Sequence, residues 1–374
     1  MRAFFDSDEI TDVCQRITRK PSLNGIWSAE VLLPSSEMPA ITKGVTELIV
    51  TDSAGTTELH VGRAYFGEDD GDADSKNITV TSQDPRAFWD RKQVMDPDGD
   101  FSDPSIIQDN ENAVDIMAAA INNSIANDGA MDVTVGTTEG GGVPLVGYKP
   151  VDWPMTIKDL WELLVETGEL DTVLNPASGG ASTVDLYNGD FGADLSGSVQ
   201  FDYGTGAFNC TGAKYTWDMA PVITRLRLLL GPKRPQFDGD IQHWAGDVQK
   251  DDPGLPDPPQ TAIDALIAAG EAAWGLLREV RVDDSEGDEN DLRDLYERLW
   301  QSEMIIRLVP RRLLNVTPEP GILPTFVCGD IIGVAAVLSE SLSGAQRVYD
   351  MTIDQDPEGN ETISQLVVSA DQET

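Results

Sequence analysis

Over the first hundred positions, apolar and polar residues alternate in short runs broken by turns. Ile26 to Leu33 (IWSAEVLL) is strand-like and ends at Pro34. Thr46 to Thr51 (TELIVT) alternates, and Thr57 to Phe66 (TELHVGRAYF) follows an Asp-Ser-Ala-Gly turn. Asn77 to Ser82 (NITVTS) is a further alternating run after the loop EDDGDADSK. Short strands between Asp- and Gly-rich turns predict a small antiparallel barrel or sandwich. Ahead of these strands, ITDVCQRITR reads as a short helix carrying Cys14.

The period then changes. Val114, Met117, Ala118, Ile121 and Ile125 recur at helical spacing, predicting a helix from about Asn110 to Ala126 that Asn127, Asp128 and Gly129 stop. A strand around Met131 to Gly136 precedes TTEGGG. The next helix starts on a capping-box pattern, Thr156 with Asp159, and closes at Gly168; Ile157, Leu160, Trp161 and Leu164 form its buried stripe. From Thr183 to Trp217 the alternation returns, and Val222 to Leu230 is apolar with two arginines. QKDDPGLPDPPQ (249–260) reads as a semi-rigid linker. Helices are expected from Thr261 to about Val280 and from Leu292 to about Ser302, after which the chain is β again to its end.

Composition narrows the function. The 374 residues hold 65 acidic and 26 basic side chains, a net charge of −39. A chain so acidic lacks the basic footprint of a nucleic-acid binder, and an anionic membrane would repel it. No apolar run approaches the ~20 residues of a membrane span; the longest, Phe326 to Leu338, carries Asp330 inside it. The opening MRAFFDSDEITD turns acidic too early for a secretory signal. The 43 Asp outnumber the 22 Glu, and the 17 Arg outnumber the 9 Lys. This bias fits adaptation to salt, because molar salt shortens the screening length to about 3 Å and relieves self-repulsion.

The chemistry-bearing residues form no recognisable machinery. Cys14, Cys210 and Cys328 are far apart, without a CxxC, and read as small buried apolar residues. His60 and His243 leave little room for a histidine metal site or a nucleophile dyad. No nucleophile elbow and no phosphate loop is present, and GTGAFNCTG departs from the dinucleotide pattern at Asn209. Two loops, Asp69, Asp70, Asp72, Asp74 and Asp96, Asp98, Asp100, alternate in the manner of calcium ligands but lack the closing Glu, so solvated loops fit them better. No catalytic, cofactor-binding or metal-binding residue is assigned. Trp161, Trp274 and Trp300 are expected to pack between helices, while Trp153 and Trp244 lie in loops that could anchor a partner.

The last segment resembles the closing β-domain of tail-tip hub proteins of tailed viruses (baseplate hub or minor tail proteins). It holds Cys328-Gly329-Asp330-Ile331-Ile332, then Arg347-Val348-Tyr349-Asp350-Met351-Thr352, then Asp356-Pro357-Glu358-Gly359 and Gln365-Leu366-Val367-Val368. The start is similar too, with Trp27, Glu47-Leu48-Ile49-Val50 and Val61-Gly62-Arg63-Ala64-Tyr65. Thr81 to Trp89 (TSQDPRAFW) resembles the exit from such a hub's first barrel.

The resemblance implies an α+β, mainly β chain: two small antiparallel β-barrels at the two ends, an α/β insertion, and a helical linker. The first barrel would cover 1–95, with a return of the chain at 215–250 left open. The insertion would cover 96–215, the Pro-rich linker and two helices 250–303, and the second barrel 304–374. The acidic bias adds the expectation of a salt-adapted archaeal host, and the resemblance further implies a homotrimeric, non-enzymatic hub at the virion tail tip, assembled in the host cytoplasm. Its partners would be the distal tail protein ring, the tape measure and a tail fibre or spike, with DNA sliding through an acidic lumen without specific binding. Edge strands around Val61 and Leu366 would pair between subunits. Other readings are a glycan-binding or glycan-cleaving β-protein, or another virion ring such as the distal tail protein. The threefold ring rests on look-alike barrels at the two ends, and a single sheet shared by the first and last strands would remove that ground.

Overall fold

The computed structural model describes residues 1–42, 44–71, 76–95, 112–129, 132–141, 155–166, 170–204, 209–218, 225–230, 268, 272–273, 278–283, 311–323, 325–338 and 341–369. The expected linker at 249–260, the helix at 292–302, the Asp loop at 96–103, and Trp153, Trp244, Trp274, Trp300 and His243 lie outside these residues.

The N-terminal region consists of β1 (Arg2–Phe5), β2 (Asp8–Glu9), β3 (Arg16–Lys20), β4 (Ser28–Pro34), β5 (Glu47–Thr51), β6 (Glu58–Gly71) and β7 (Lys76–Gln83). The alternation read from the sequence is realised: along β4, Ala29, Val31 and Leu33 are buried and their neighbours are not. Gly62 on β6 is forced by close approach, since a Cβ there would overlap the Gln83 carbonyl of β7. The helix expected around Cys14 does not form. Thr11–Val13 make one tight helical turn, and Arg16–Lys20 extend as β3, with Ile17 and Thr18 buried. β-branched residues on a half-buried face outweigh a weak helical period.

A second core follows. It holds α1 (Ala113–Asp128), β8 (Val133–Thr138), α2 (Ile157–Glu166), β9 (Asp171–Asn175) and β10 (Ser182–Tyr187). The strands form a three-stranded sheet in the order β8-β10-β9, β8 parallel and β9 antiparallel to β10. Asn112 caps α1 by accepting from the Asp115 backbone N–H at 2.9 Å. The capping box of α2 forms as expected: the Asp159 N–H donates to Thr156 Oγ1 at 3.1 Å, and the Thr156 N–H donates to Asp159 Oδ2 at 3.0 Å. Val114, Met117 and Ile121 of α1 meet Ile157, Leu160, Trp161 and Leu164 of α2 in this core. Trp89 and Val94, which precede the helices, belong to it as well.

The remaining strands are β11 (Gln200–Tyr203), β12 (Cys210–Asp218), β13 (Arg225–Leu230), β14 (Arg278–Asp283), β15 (Arg311–Pro318), β16 (Ile331–Val337), β17 (Ser341–Gln355) and β18 (Glu361–Ser369). β13 and β14 pair in parallel as a separate two-stranded sheet, so the helix expected up to Val280 gives way to strand at Arg278. β12 pairs with β15 of the C-terminal region; of the span 215–250 left open for a return to the first barrel, residues 219–224 and 231–250 lie outside the described residues.

β17 is the spine of the molecule. Its first half pairs with β16 and its second half with β18, and Ile353, Asp354 and Gln355 at its end pair with Arg19, Thr18 and Ile17 of β3. Through this seam the two ends join one thirteen-stranded sheet, β12-β15-β18-β17-β3-β4-β7-β6-β5-β1-β2, with β16 and β11 branching from β17. The fold is α+β and mainly β, with antiparallel pairing dominant, as expected. The two barrels are not closed as separate units: the first and last strands share a sheet and one apolar core that runs from Met1 to Val368. The Met1 ammonium, at 2.7 Å from Glu361 Oε1, ties the same ends together.

Candidate functional site

The phrase Asp84-Pro85-Arg86 builds the first half of a buried polar junction. Asp84 caps the tight helical turn Pro85–Arg91, and Pro85 sits at its first position where its missing N–H costs nothing. Asp84 Oδ1 accepts from the Arg86 backbone N–H at 2.8 Å and from Arg86 Nε at 3.1 Å. Asp84 Oδ2 accepts from Arg86 Nη2 at 3.0 Å and from the Trp27 N–H at 2.5 Å. Arg86 Nη2 also donates to the Gly25 carbonyl at 2.7 Å. Both side chains are wholly buried. A buried ion pair persists only when its remaining valences are met, and here they are. The Arg86 guanidinium also lies over the Trp161 ring at 5.4 Å, and Trp161 stands edge-on to Trp89 at 5.2 Å. Trp161 is therefore a packing residue, as its helical stripe predicts.

The second half centres on Asp171, at the start of β9. Its Oδ1 accepts from Asn24 Nδ2 at 2.7 Å, and its Oδ2 accepts from the Phe191 N–H at 3.0 Å and from Arg347 Nη2 at 2.5 Å. Arg347 spends its other donors on carbonyls: Gly189 at 2.9 Å, Phe191 at 2.6 Å and Gly329 at 3.3 Å. Asn24 holds a left-handed backbone, φ 57°, and its Oδ1 accepts from the Thr172 N–H at 2.7 Å. Arg86 Nη1 reaches Thr172 Oγ1 at 3.4 Å, which closes the two halves into one network.

The Gly329-Asp330 pair completes it. Asp330 Oδ1 accepts from the Ala193 N–H at 2.7 Å and Oδ2 from the Val327 N–H at 2.8 Å. Gly192 and Gly329 approach so closely that a Cβ on Gly192 would overlap the Gly329 backbone and one on Gly329 would overlap Phe191, and both have positive φ, 123° and 104°. The network thus spans the N-terminal strands, the insertion and the C-terminal strands. The carboxylates of Asp84, Asp171 and Asp330 and the guanidiniums of Arg86 and Arg347 all have partners, which fixes the three regions against one another.

Other candidates fall elsewhere. His60 is buried on β6 with Nε2 at 2.7 Å from Ser82 Oγ, and burial pushes its pKa down to about 4. Cys14, Cys210 and Cys328 are free and buried, as expected, with burial raising them to about 12, 11 and 12. Among the described residues no group of three His, Cys, Asp or Glu is arranged to hold a metal, and no helix is long and apolar enough to cross a membrane. Val61 and Leu366, expected on edges, lie on interior strands: β6 is flanked by β5 and β7, and β18 by β15 and β17. Among the described residues the free ends of the sheet are β12, the two-residue β2 and, on the branch, β11. Sequence reasoning found Asp84, Arg86, Asp330 and Arg347 as parts of short motifs but gave none of them a role. Asp171 and Asn24 carried no signal beyond a polar residue beside a strand.

No protein-family model matches the sequence, and no curated protein matches it. Solved structures do. The 43 kDa tail protein of prophage MuSo2 from Shewanella oneidensis aligns over 98% of this chain and 97% of its own, at 12% identity and a TM-score of 0.59. The tail protein from Neisseria meningitidis MC58 aligns over 98% and 95%, at 12% identity and a TM-score of 0.55. The prophage tail protein gp18 from Listeria monocytogenes EGD-e aligns over 100% and 95%, at 9% identity and a TM-score of 0.52. From end to end, this chain has the fold of these tail proteins.

Proposed function

We propose that the chain is a structural protein of a viral tail, forming a homotrimeric hub ring at the tail tip. The ring joins the tail tube and distal tail ring to a fibre or spike, and lets the genome and tape measure pass. The observation that carries this is the likeness over 98% of the chain and 97% of the Shewanella prophage tail protein. Two independently closed barrels, the support expected from the sequence, are not what the sheet forms. The β3–β17 seam joins both ends of the chain in one sheet instead. The net charge of −39 suits a lumen that DNA phosphates slide past, and a virus of a salt-rich host.

The test is the mass in molar KCl by light scattering, together with immunogold labelling of purified virions. A mass three times that of the 40.5 kDa chain, with label confined to the tail tip, is the expected result. A monomer at every concentration, a sixfold ring, or label along the tube or on the capsid would overturn the hub.

A further inference from the structure

Two exposed apolar side chains, Val45 at 64% and Tyr65 at 52%, border a single aromatic and arginine cluster. Phe88, on the turn Pro85–Arg91, meets Tyr65 edge-on with ring centroids 6.4 Å apart. The guanidinium groups of Arg63 and Arg91 stand over the same Phe88 ring, at 5.9 Å and 5.6 Å. Arg63 Nη1 donates to the Gly44 carbonyl at 3.3 Å, which sets Val45 beside it, and Arg63 Nη2 pairs with Asp132. Arg91 has the carboxylate of Asp90 only at 3.8 Å and remains 64% exposed at its side chain.

The cluster is charge-balanced, two arginines against two aspartates, on a chain whose acids exceed its bases by 39. Most of this surface repels a second copy, whereas this patch does not. It also concentrates Tyr, Phe and Arg, the side chains enriched at interfaces. The outward edge of Arg91 is the complement for a carboxylate, which a neighbouring copy supplies in abundance. We infer that the patch formed by Val45, Tyr65, Phe88, Arg63 and Arg91 is where a second copy of this chain docks. This rests on the ring reading above and locates the subunit contact within it. Because docking brings two anions together, it strengthens as salt screens the remaining charge.

The test compares the full chain with Tyr65→Ser, Arg91→Glu, the double variant, and Val337→Ser, which truncates an exposed apolar residue elsewhere. In molar KCl the wild type and Val337→Ser should share one oligomeric mass. Each single variant should dissociate at a concentration at least about tenfold higher, and the double variant should run as a monomer with an unchanged circular dichroism spectrum. An oligomer undisturbed in the double variant overturns the docking surface and leaves the ring standing. A monomeric wild type overturns both. If the double variant fails to fold, a benzoylphenylalanine photo-cross-linker in place of Tyr65 decides: a dimer-sized product supports the contact, and its absence overturns it.

Discussion

The Arg347 guanidinium on β17 and the Asp171 carboxylate on β9 meet at 2.5 Å, although 176 residues separate them in the chain. Both side chains are largely buried, and Asn24 from the N-terminal strands shares the same carboxylate. Asp171→Ala should cost about 3 to 5 kcal/mol, because it strands a buried guanidinium. The double variant Asp171→Ala/Arg347→Met should recover part of that loss. Urea unfolding of the wild type, Asp171→Ala, Arg347→Met and the double variant in one salt concentration gives the coupling; additive losses would show that the pair does not act as a unit.

His60 makes stability depend on pH. Burial lowers its native pKa from 6.5 to about 4, against the opposing attraction of Asp84. Between those values the unfolded chain binds a proton that the folded chain refuses, so stability rises with pH across this window. The contribution is full above about pH 6.5 and is lost as pH falls to about 4, amounting to roughly 3 kcal/mol. His60→Gln should therefore show a shallower fall in melting temperature over that range. Equal slopes in the two proteins would refute the assignment.

Gly192 faces the Gly329 carbonyl at a positive φ of 123°. Gly192→Ala should be destabilised by more than about 2 kcal/mol, combining backbone strain with overlap. Gly180→Ala has open space around its Cβ and serves as the comparison. Similar melting temperatures for the two variants would contradict the close approach.

The three thiols are buried and raised to between about 11 and 12. A disulfide-exchange reagent at neutral pH should find no fast-reacting thiol in the folded chain and all three in guanidinium. One thiol reacting at the free-cysteine rate in the native protein would place it at the surface.

Self-repulsion of the −39 charge should unfold the chain on dialysis into dilute buffer, with recovery in molar salt. Circular dichroism follows both steps. A spectrum and melting temperature indifferent to salt would remove the salt-adaptation reading.

Most strands were legible because their period is local. The alternation of Ala29, Val31 and Leu33 is visible without knowing what they pack against, and so is the Thr156–Asp159 cap. The assembly of the strands was not legible. The pairing of Thr18 with Asp354 joins residues with no mutual signature, and it turned two expected barrels into one sheet. The edges were misplaced for the same reason: Val61 and Leu366 read as plain strand residues, and only pairing tells interior from edge. The polar junction was half legible. TSQDPRAFW and Cys328-Gly329-Asp330 stood out as motifs, but the role of each depends on partners such as Asn24 and Asp171 that lie far away in sequence. Around Cys14 a weak helical period was overruled by β-branched burial in β3.

The position of Asp171 also dictates the order of events on the ribosome. Asp171 is made well before its countercharge: Arg347 follows 176 positions later, which at ~5 to 20 residues per second takes roughly 9 to 35 s. Until Arg347 emerges, a nascent chain that packed β9 into place would bury an unbalanced negative charge. Closure of this junction is therefore expected to wait until the last strands are made.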